Sequence, residues 1–448
     1  MGEAHIFDEH WNELYNAGGH LPLDNFCTLT LVGRFAALMT TLTMMTATMG
    51  SALQRLFSWT ARWYARHVVL RIVQGWFDGP IYLTKLVYNR LSHPGQDMRE
   101  LYSGCVSAKG VAYGDGRMEF AEIMVPESKD IVGVIFYVHG GGFVTTCPEL
   151  YNQSMTYLCR HGFASVIVSY PKIPQTTFPT PQRSVLRALK FAMARFEGKP
   201  IVVLGDSAGA NLALQAAAAY LNLHAKGRGA SSRIVGAVSV YGMMERETCR
   251  NAARWDVMRR AMDFLWDCLE GDCSKSDEIF GGATFPQTLD HCKNLKTFPP
   301  TLLCVGSTDV LLDSSQRVNE IMKEKNSAWD VRLRVYKGGF HGFFGVPPAW
   351  QLGAYPKHGL PCSRDILDFC LECVLDGTSS SSEKNAKEEK RKAAVLAFPS
   401  GRMAIPRMEF IGIFIALQIL VLMPLSIAAF PALLMRAAST FIRLAVAG

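Results

Sequence analysis

Four short stretches of this 448-residue chain hold residue types that do chemistry together. Gly205-Asp206-Ser207-Ala208-Gly209 sets a serine between glycines, after the apolar run at 201–204 and before an Ala-rich helical stretch, NLALQAAAAYL. A strand, a sharp turn and a helix in succession lift a serine hydroxyl above a sheet, and the helix N-terminus favours developing negative charge. His139-Gly140-Gly141-Gly142-Phe143 follows another apolar run at 131–138. Taken alone, a glycine triplet serves equally as a flexible loop. Beside an activated serine, glycines let backbone N–H groups approach a substrate oxygen, because no Cβ intervenes. Gly141, Gly142 and the N–H of Ala208 then make a candidate oxyanion hole, with Gly140 shaping the turn.

A nucleophilic serine needs a general base and an acid that orients it, here in the chain order serine, acid, histidine. Asp309 follows the run TLLCV, in Gly306-Ser307-Thr308-Asp309. His341 follows VRLRVY, in Lys337-Gly338-Gly339-Phe340-His341-Gly342-Phe343-Phe344. Asp313 competes for the acid but sits where it would start or cap the next helix. His291 and His358 fall outside any loop that follows a strand. His139 precedes the nucleophile and suits ordering of its own loop. Gly205, Asp206 and Gly209 support the nucleophile turn.

The elements that must position these residues are apolar runs alternating with helical patterns. IVGVIFYV (131–138), ASVIVSY (164–170), IVVL (201–204), IVGAVSV (234–240), TLLCV (301–305) and VRLRVY (331–336) read as strands. Their near-continuous apolar character predicts parallel strands covered on both faces. Helical patterns near 149–160, 182–196, 208–224, 255–269 and 314–325 predict a doubly wound, mostly parallel sheet. Ligands bind such sheets beyond the carboxyl ends of the strands, where all four stretches fall.

Composition narrows the class. Hydrophobic residues are 49% and charged residues 19%, too apolar for a disordered chain. No fixed period marks a collagen or a repeat array. The net charge of +7 is spread along the chain rather than gathered into a nucleic-acid footprint. Twelve cysteines lack the paired spacing of a zinc site and fit a reducing compartment. The one C-x-x-C, Cys370 and Cys373, lies in a stretch that reads as a terminal helix (DILDFCLECVL) with buried thiols. No metal or cofactor is called for.

The chain ends carry a separate expectation. Residues 1–34 form an acidic segment, whose first 26 residues hold five acids and no Lys or Arg, unlike a secretory signal. Ile6 stands where a myristoylation signal wants Ser or Thr. Residues 35–55 form a candidate membrane helix, with 19 residues free of charge from Phe35 to Leu53, although its five Thr leave a buried or interfacial helix open. Residues 56–98 interleave Trp59, Trp63, Tyr64, Trp76 and Phe77 with Arg55, Arg62, Arg66 and Arg71 at and beside the segment, as an amphipathic cap or interfacial region would. Residues 99–376 hold the alternating domain, and 377–407 a polar, charged tether. Within 408–448, Phe410 to Met435 runs 26 residues without a charge, with Pro424 and Pro431 as points for a kink or hairpin. Seven basic residues in 383–407, and Arg residues after the first candidate span, place the central domain on the cytoplasmic side.

Residues 100–376 resemble the hormone-sensitive lipase family of α/β-hydrolases, which includes arylacetamide-deacetylase-like esterases. The resemblance rests on HGGGF at 139–143, GDSAGAN at 205–211, the Asp309 loop, His341-Gly342-Phe343, and YPKIPQTTFP at 170–179. Gln175 stands where the family usually has an acid. The resemblance implies an α/β-hydrolase fold with a helical cap ahead of the first strand, and terminal membrane helices complete the expected architecture. It implies hydrolysis of carboxylic esters through an acyl-enzyme, with Ser207, His341 and Asp309 as nucleophile, base and orienting acid. Membrane attachment favours a lipophilic ester substrate and membrane lipid as partners, at the endoplasmic reticulum or another internal membrane. Nucleic acid is not among the expected partners. Two alternatives remain open: a non-catalytic small-molecule-binding protein on the same scaffold, and an acyltransferase using the same three residues.

Overall fold

The computed structural model describes residues 105–127, 130–225, 233–252, 256–271, 276–344 and 359–376, together with Leu70 and Gln74. The acidic segment 1–34, the candidate membrane segments 35–55 and 408–448, the tether 377–407 and all but two residues of 56–98 lie outside the described residues. Among the described residues, no helix is long and apolar enough to cross a membrane.

Eight strands form one sheet: β1 (Cys105–Ala112), β2 (Phe120–Pro126), β3 (Gly133–Val138), β4 (Phe163–Val168), β5 (Ile201–Asp206), β6 (Ile234–Val240), β7 (Thr301–Gly306) and β8 (Val331–Tyr336). Their order is β1-β2-β4-β3-β5-β6-β7-β8. From β4 to β8 every neighbouring pair is parallel, while β1 with β2 and β2 with β4 run antiparallel. All six expected strands are present, in the mostly parallel arrangement expected. The two antiparallel strands were not anticipated. β1 lies at the sheet edge, is largely exposed, and carries the residues CVSAKGVA, which show neither a continuous apolar run nor strict alternation.

Alternation of side chains across the strands splits the core in two. Val134, Phe136 and Val138 of β3 join the larger core with residues of α2 (Thr180–Arg195) and α3 (Ala208–His224). Ile135 and Tyr137 point the other way, into a core shared with α1 (Asn152–Arg160) and α8 (Leu360–Asp376). These side chains of β3 are fully buried, each apolar one contributing about 1.5–3 kcal/mol on leaving water. Burial on both faces is what makes such strands continuous apolar runs. Between β6 and β7 the chain forms α4 (Arg246–Ala252), α5 (Asp256–Glu270) and α6 (Phe285–His291), and α7 (Leu312–Lys325) leads into β8. Of these, α4 and α6 had no counterpart in the sequence reading. Cys370 and Cys373 are buried on α8, as expected, and desolvation pushes the Cys370 thiol well above its ordinary range.

Candidate active site

Ser207 occupies the single residue between the end of β5 and the start of α3, with φ +50° and ψ −124°. A side chain rarely adopts positive φ, and here the flanking glycines make the turn possible. A Cβ on Gly205 would stand 2.6 Å from the Gly209 carbonyl oxygen, and one on Gly209 would strike the carbonyls of Val138 and His139. Strand, turn and helix therefore pass at a separation that only glycine permits. The backbone holds the turn from both sides: Ser207 N donates to the Val240 carbonyl at 2.9 Å, and Met243 N to the Ser207 carbonyl at 2.9 Å. α3 is buried from Ala208 to Ala219, its small residues letting it lie close against the sheet.

The loop after β8 brings His341 to this turn, and its Nε2 lies 3.0 Å from Ser207 Oγ. His341 Nδ1 lies 3.1 and 3.2 Å from the two carboxylate oxygens of Asp309, in the loop after β7. A carboxylate at Nδ1 fixes that proton there, leaving Nε2 to accept the serine hydroxyl proton. Asp309 is buried and accepts from Leu311 N at 2.8 Å. The two loops are knitted together: Thr308 N and Oγ1 both donate to the Gly339 carbonyl, at 3.0 and 2.7 Å, and Gly338 N donates to Ser307 Oγ at 2.9 Å. Desolvation opposes the charged imidazole of His341, but the carboxylates of Asp309 and Asp206 outweigh it and raise its pKa above the ordinary value. Asp313 falls in the first turn of α7, as its helix-starting alternative required. His291 is committed to the Glu278 carbonyl at 2.8 Å, and His358 lies outside the described residues.

The glycine loop is tied to the nucleophile turn through Asp206. Its Oδ1 accepts from Gly140 N at 2.7 Å and from the buried Tyr137 hydroxyl at 2.6 Å. A Cβ on Gly140 would meet Asp206 Oδ2 at 2.7 Å and Ser207 Cβ at 3.0 Å, so the loop lies directly against the serine. Gly141 and Gly142 turn it with φ of +101° and +61°. His139 lies within this loop. It is fully buried and stacked on Tyr170 at 4.7 Å, and its Nδ1 lies 2.9 Å from both Thr146 Oγ1 and the Gly140 carbonyl. Burial pushes the Asp206 carboxyl up to about 6, against the lowering effect of its bonds from Tyr137 and Gly140.

Several neighbours were not singled out from sequence. Tyr241, with φ +38° just after β6, makes T-shaped ring contacts with His341 at 4.8 Å and with Phe343 at 5.1 Å. Its N–H donates to the Cys304 carbonyl at 2.6 Å. Nothing in the local sequence marks that turn. Leu265 of α5 would touch a Cβ on Gly142 at 3.4 Å, and the neighbouring Trp266 packs against Phe143 at 5.6 Å. The insertion between β6 and β7 thus walls the glycine loop, beside which only 56–98 had been expected as a cap. From that N-terminal segment, Gln74 reaches the same loop, donating to the Val144 carbonyl at 2.9 Å.

Residues 135–345 match the family described as alpha/beta hydrolase fold. An esterase of Acinetobacter venetianus is 27% identical over 247 residues, 54% of this chain and 76% of that one. Ninety-six residues, 21% of this chain, are 33% identical to part of an FAD-linked oxidoreductase of Aspergillus terreus, of which they span 12%. Among solved structures, carboxyl esterase 2 of the mycorrhizal fungus Tuber melanosporum is 18% identical, with a TM-score of 0.49 over 65% of this chain and 97% of its own.

Proposed function

We propose, from the premise that residues 135–345 belong to the α/β-hydrolases and carry the motifs of the hormone-sensitive lipase family, that this protein is a serine carboxylic ester hydrolase. One observation carries the mechanism: Ser207, on its strained turn, lies 3.0 Å from His341 Nε2 while Asp309 meets Nδ1 at 3.1 Å. Ser207 Oγ attacks the ester carbonyl as His341 Nε2 takes its proton. The tetrahedral oxyanion is held by the N–H groups of Gly141, Gly142 and Ala208, where charge develops only during reaction. His341 then gives the proton to the departing alkoxide, leaving an acyl group on Ser207. Water repeats the sequence, attacking the acyl carbonyl as His341 accepts its proton and returning Ser207 with the carboxylic acid. Asp309 stabilises the transient imidazolium and keeps the ring oriented.

The substrate we propose is a lipophilic ester presented at a membrane. That part rests on the 26-residue charge-free run from Phe410 to Met435 and on the aromatic and basic residues of 56–98. The basic flank at 383–407 supports a hydrolase domain on the cytoplasmic side of an internal membrane. Hydrolysis of p-nitrophenyl esters from acetyl to palmitoyl by the detergent-solubilised chain tests both parts. A rising preference with acyl length points to a lipase, an optimum at acetyl to a deacetylase of lipophilic acetyl esters. No turnover of any ester by folded protein contradicts the hydrolase itself and favours ligand binding without reaction.

A further inference from the structure

We propose that Gln74 is a positioning residue for the candidate oxyanion loop, clamping the N-terminal segment onto the backbone beside Gly141 and Gly142; this rests on the ester-hydrolase reading. Leu70 and Gln74 are both helical, and side chains four residues apart lie on one face of a helix. Leu70 is 1% exposed, within the core that includes Phe143, Val144 and Ile173. Gln74, one turn on, reaches two loops far away in sequence. Its Nε2 donates to the Val144 carbonyl at 2.9 Å and to the Ile173 carbonyl at 3.0 Å, which accounts for both of its hydrogens.

Those carbonyls belong to segments that already lean on each other and on the glycine turn. Ile173 N donates to the Phe143 carbonyl at 3.1 Å, and Val144 N to the Gly141 carbonyl at 3.0 Å. One amide therefore fastens the end of the glycine turn to the loop behind it. Gln175 completes the arrangement: its Nε2 donates to Gln74 Oε1 at 2.8 Å, and its own Oε1 lies 3.2 Å from Gln74 Nε2. This gives a physical reason for an amide at position 175, because an ionised acid there has no hydrogen to donate to Gln74 Oε1. Acting through Val144, Gln74 sets the loop that meets charge only in the transition state. Its loss is therefore read in kcat more than in KM.

Two measurements on the full chain test this: hydrogen exchange of peptides covering 139–147 and 170–178, and kinetics on p-nitrophenyl acetate. Gln74→Leu keeps the apolar stem and removes both donors. We expect exchange about tenfold faster in those two peptides but unchanged across β6 and β7. We expect kcat about tenfold lower, with KM within about twofold, a smaller loss than the roughly 100-fold or more that removing an oxyanion donor outright causes. Gln74→Glu presents a carboxylate to two carbonyls and regains a donor only on protonation. Its kcat relative to wild type at the same pH should climb from pH 8 to pH 5, while the ratio for Gln74→Leu stays flat. A merely structural glutamine would not move that ratio. Should Gln74→Leu fail to fold, Gln74→Glu compared with itself across pH carries the test. Unchanged exchange in both peptides, or a flat ratio for Gln74→Glu, overturns the proposal even where wild type hydrolyses esters well. A wild-type chain without turnover overturns the hydrolase reading and the kinetic half together, and exchange still decides whether Gln74 seats the loop.

Discussion

The carboxylate of Asp206 accepts from the backbone N–H of Gly140 at 2.7 Å, so the residue before Ser207 holds the first glycine of the loop against the serine turn. The same oxygen accepts from Tyr137 at 2.6 Å beneath the sheet edge. Asp206 thereby ties the Ser207 turn to the glycine loop through one side chain.

Removing that acceptor tests the coupling. Asp206→Ala leaves the buried Gly140 N–H and Tyr137 hydroxyl without it, at a cost of about 1–3 kcal/mol in urea unfolding and a clear loss of kcat. Asp206→Asn keeps a carbonyl oxygen for both donors and should retain most of the stability. It should also change the pH dependence. Burial raises the Asp206 carboxyl to about 6, so between the ordinary carboxylate range and 6 the folded chain binds a proton that the unfolded chain has lost. Its contribution to stability is full below that window and is lost as pH rises through it. Unfolding curves from pH 4 to 7 should be flatter for Asp206→Asn in that interval, and parallel curves would refute the assignment.

Hydrolysis requires neutral His341, whose pKa is raised chiefly by Asp309 against the opposing effect of desolvation. The acidic limb of kcat/KM should therefore fall above the ordinary histidine value of about 6.5. Asp309→Asn should lower kcat by about 10⁴, as loss of the orienting carboxylate does in comparable triads, and move the limb downward. The His341–Asp309 pair stabilises the fold at low pH and loses that contribution as pH rises through the raised value. A limb unmoved by Asp309→Asn would contradict the pairing.

Much of this candidate site was legible in the chain because each of its three residues follows a buried apolar strand. Ser207, Asp309 and His341 were singled out by that position together with the G-x-S-x-G pattern and the order serine, acid, histidine, and α3 begins at Ala208 as the Ala-rich run suggested. Contacts between segments distant in sequence were not legible. Tyr137 and Asp206 meet from two neighbouring strands, and no local pattern records their bond. Leu265 reaches Gly142 only because the helices between β6 and β7 fold back over the loop. β1 has no apolar signature because an exposed edge strand need not display apolar periodicity.

Two glycine substitutions should separate backbone contact from backbone strain. Gly209→Ala drives a methyl into the Val138 and His139 carbonyls, and should cost about 3 kcal/mol or abolish folding. Among the described residues, Gly142→Ala meets only Leu265, at 3.4 Å, and should cost about 1–2 kcal/mol, from its φ of +61°. Thermal unfolding of the two variants checks the order, and equal losses would contradict it.

Leu265 should influence which acyl or alcohol groups fit. Leu265→Trp narrows the space over Gly142 and should lower kcat/KM for palmitoyl relative to acetyl esters by roughly 10-fold or more, the scale of selectivity that apolar pockets deliver. Equal effects on both esters would show that α5 does not border the substrate.

The central claim is that Ser207 is an activated nucleophile, and covalent capture tests it most directly. A fluorophosphonate, which loses fluoride as it bonds to an activated serine oxygen, should modify the folded chain once, on the peptide containing Ser207. Labelling should vanish in Ser207→Ala and slow sharply in His341→Ala. A folded chain that stays unlabelled, or carries the label on another residue, would contradict the account.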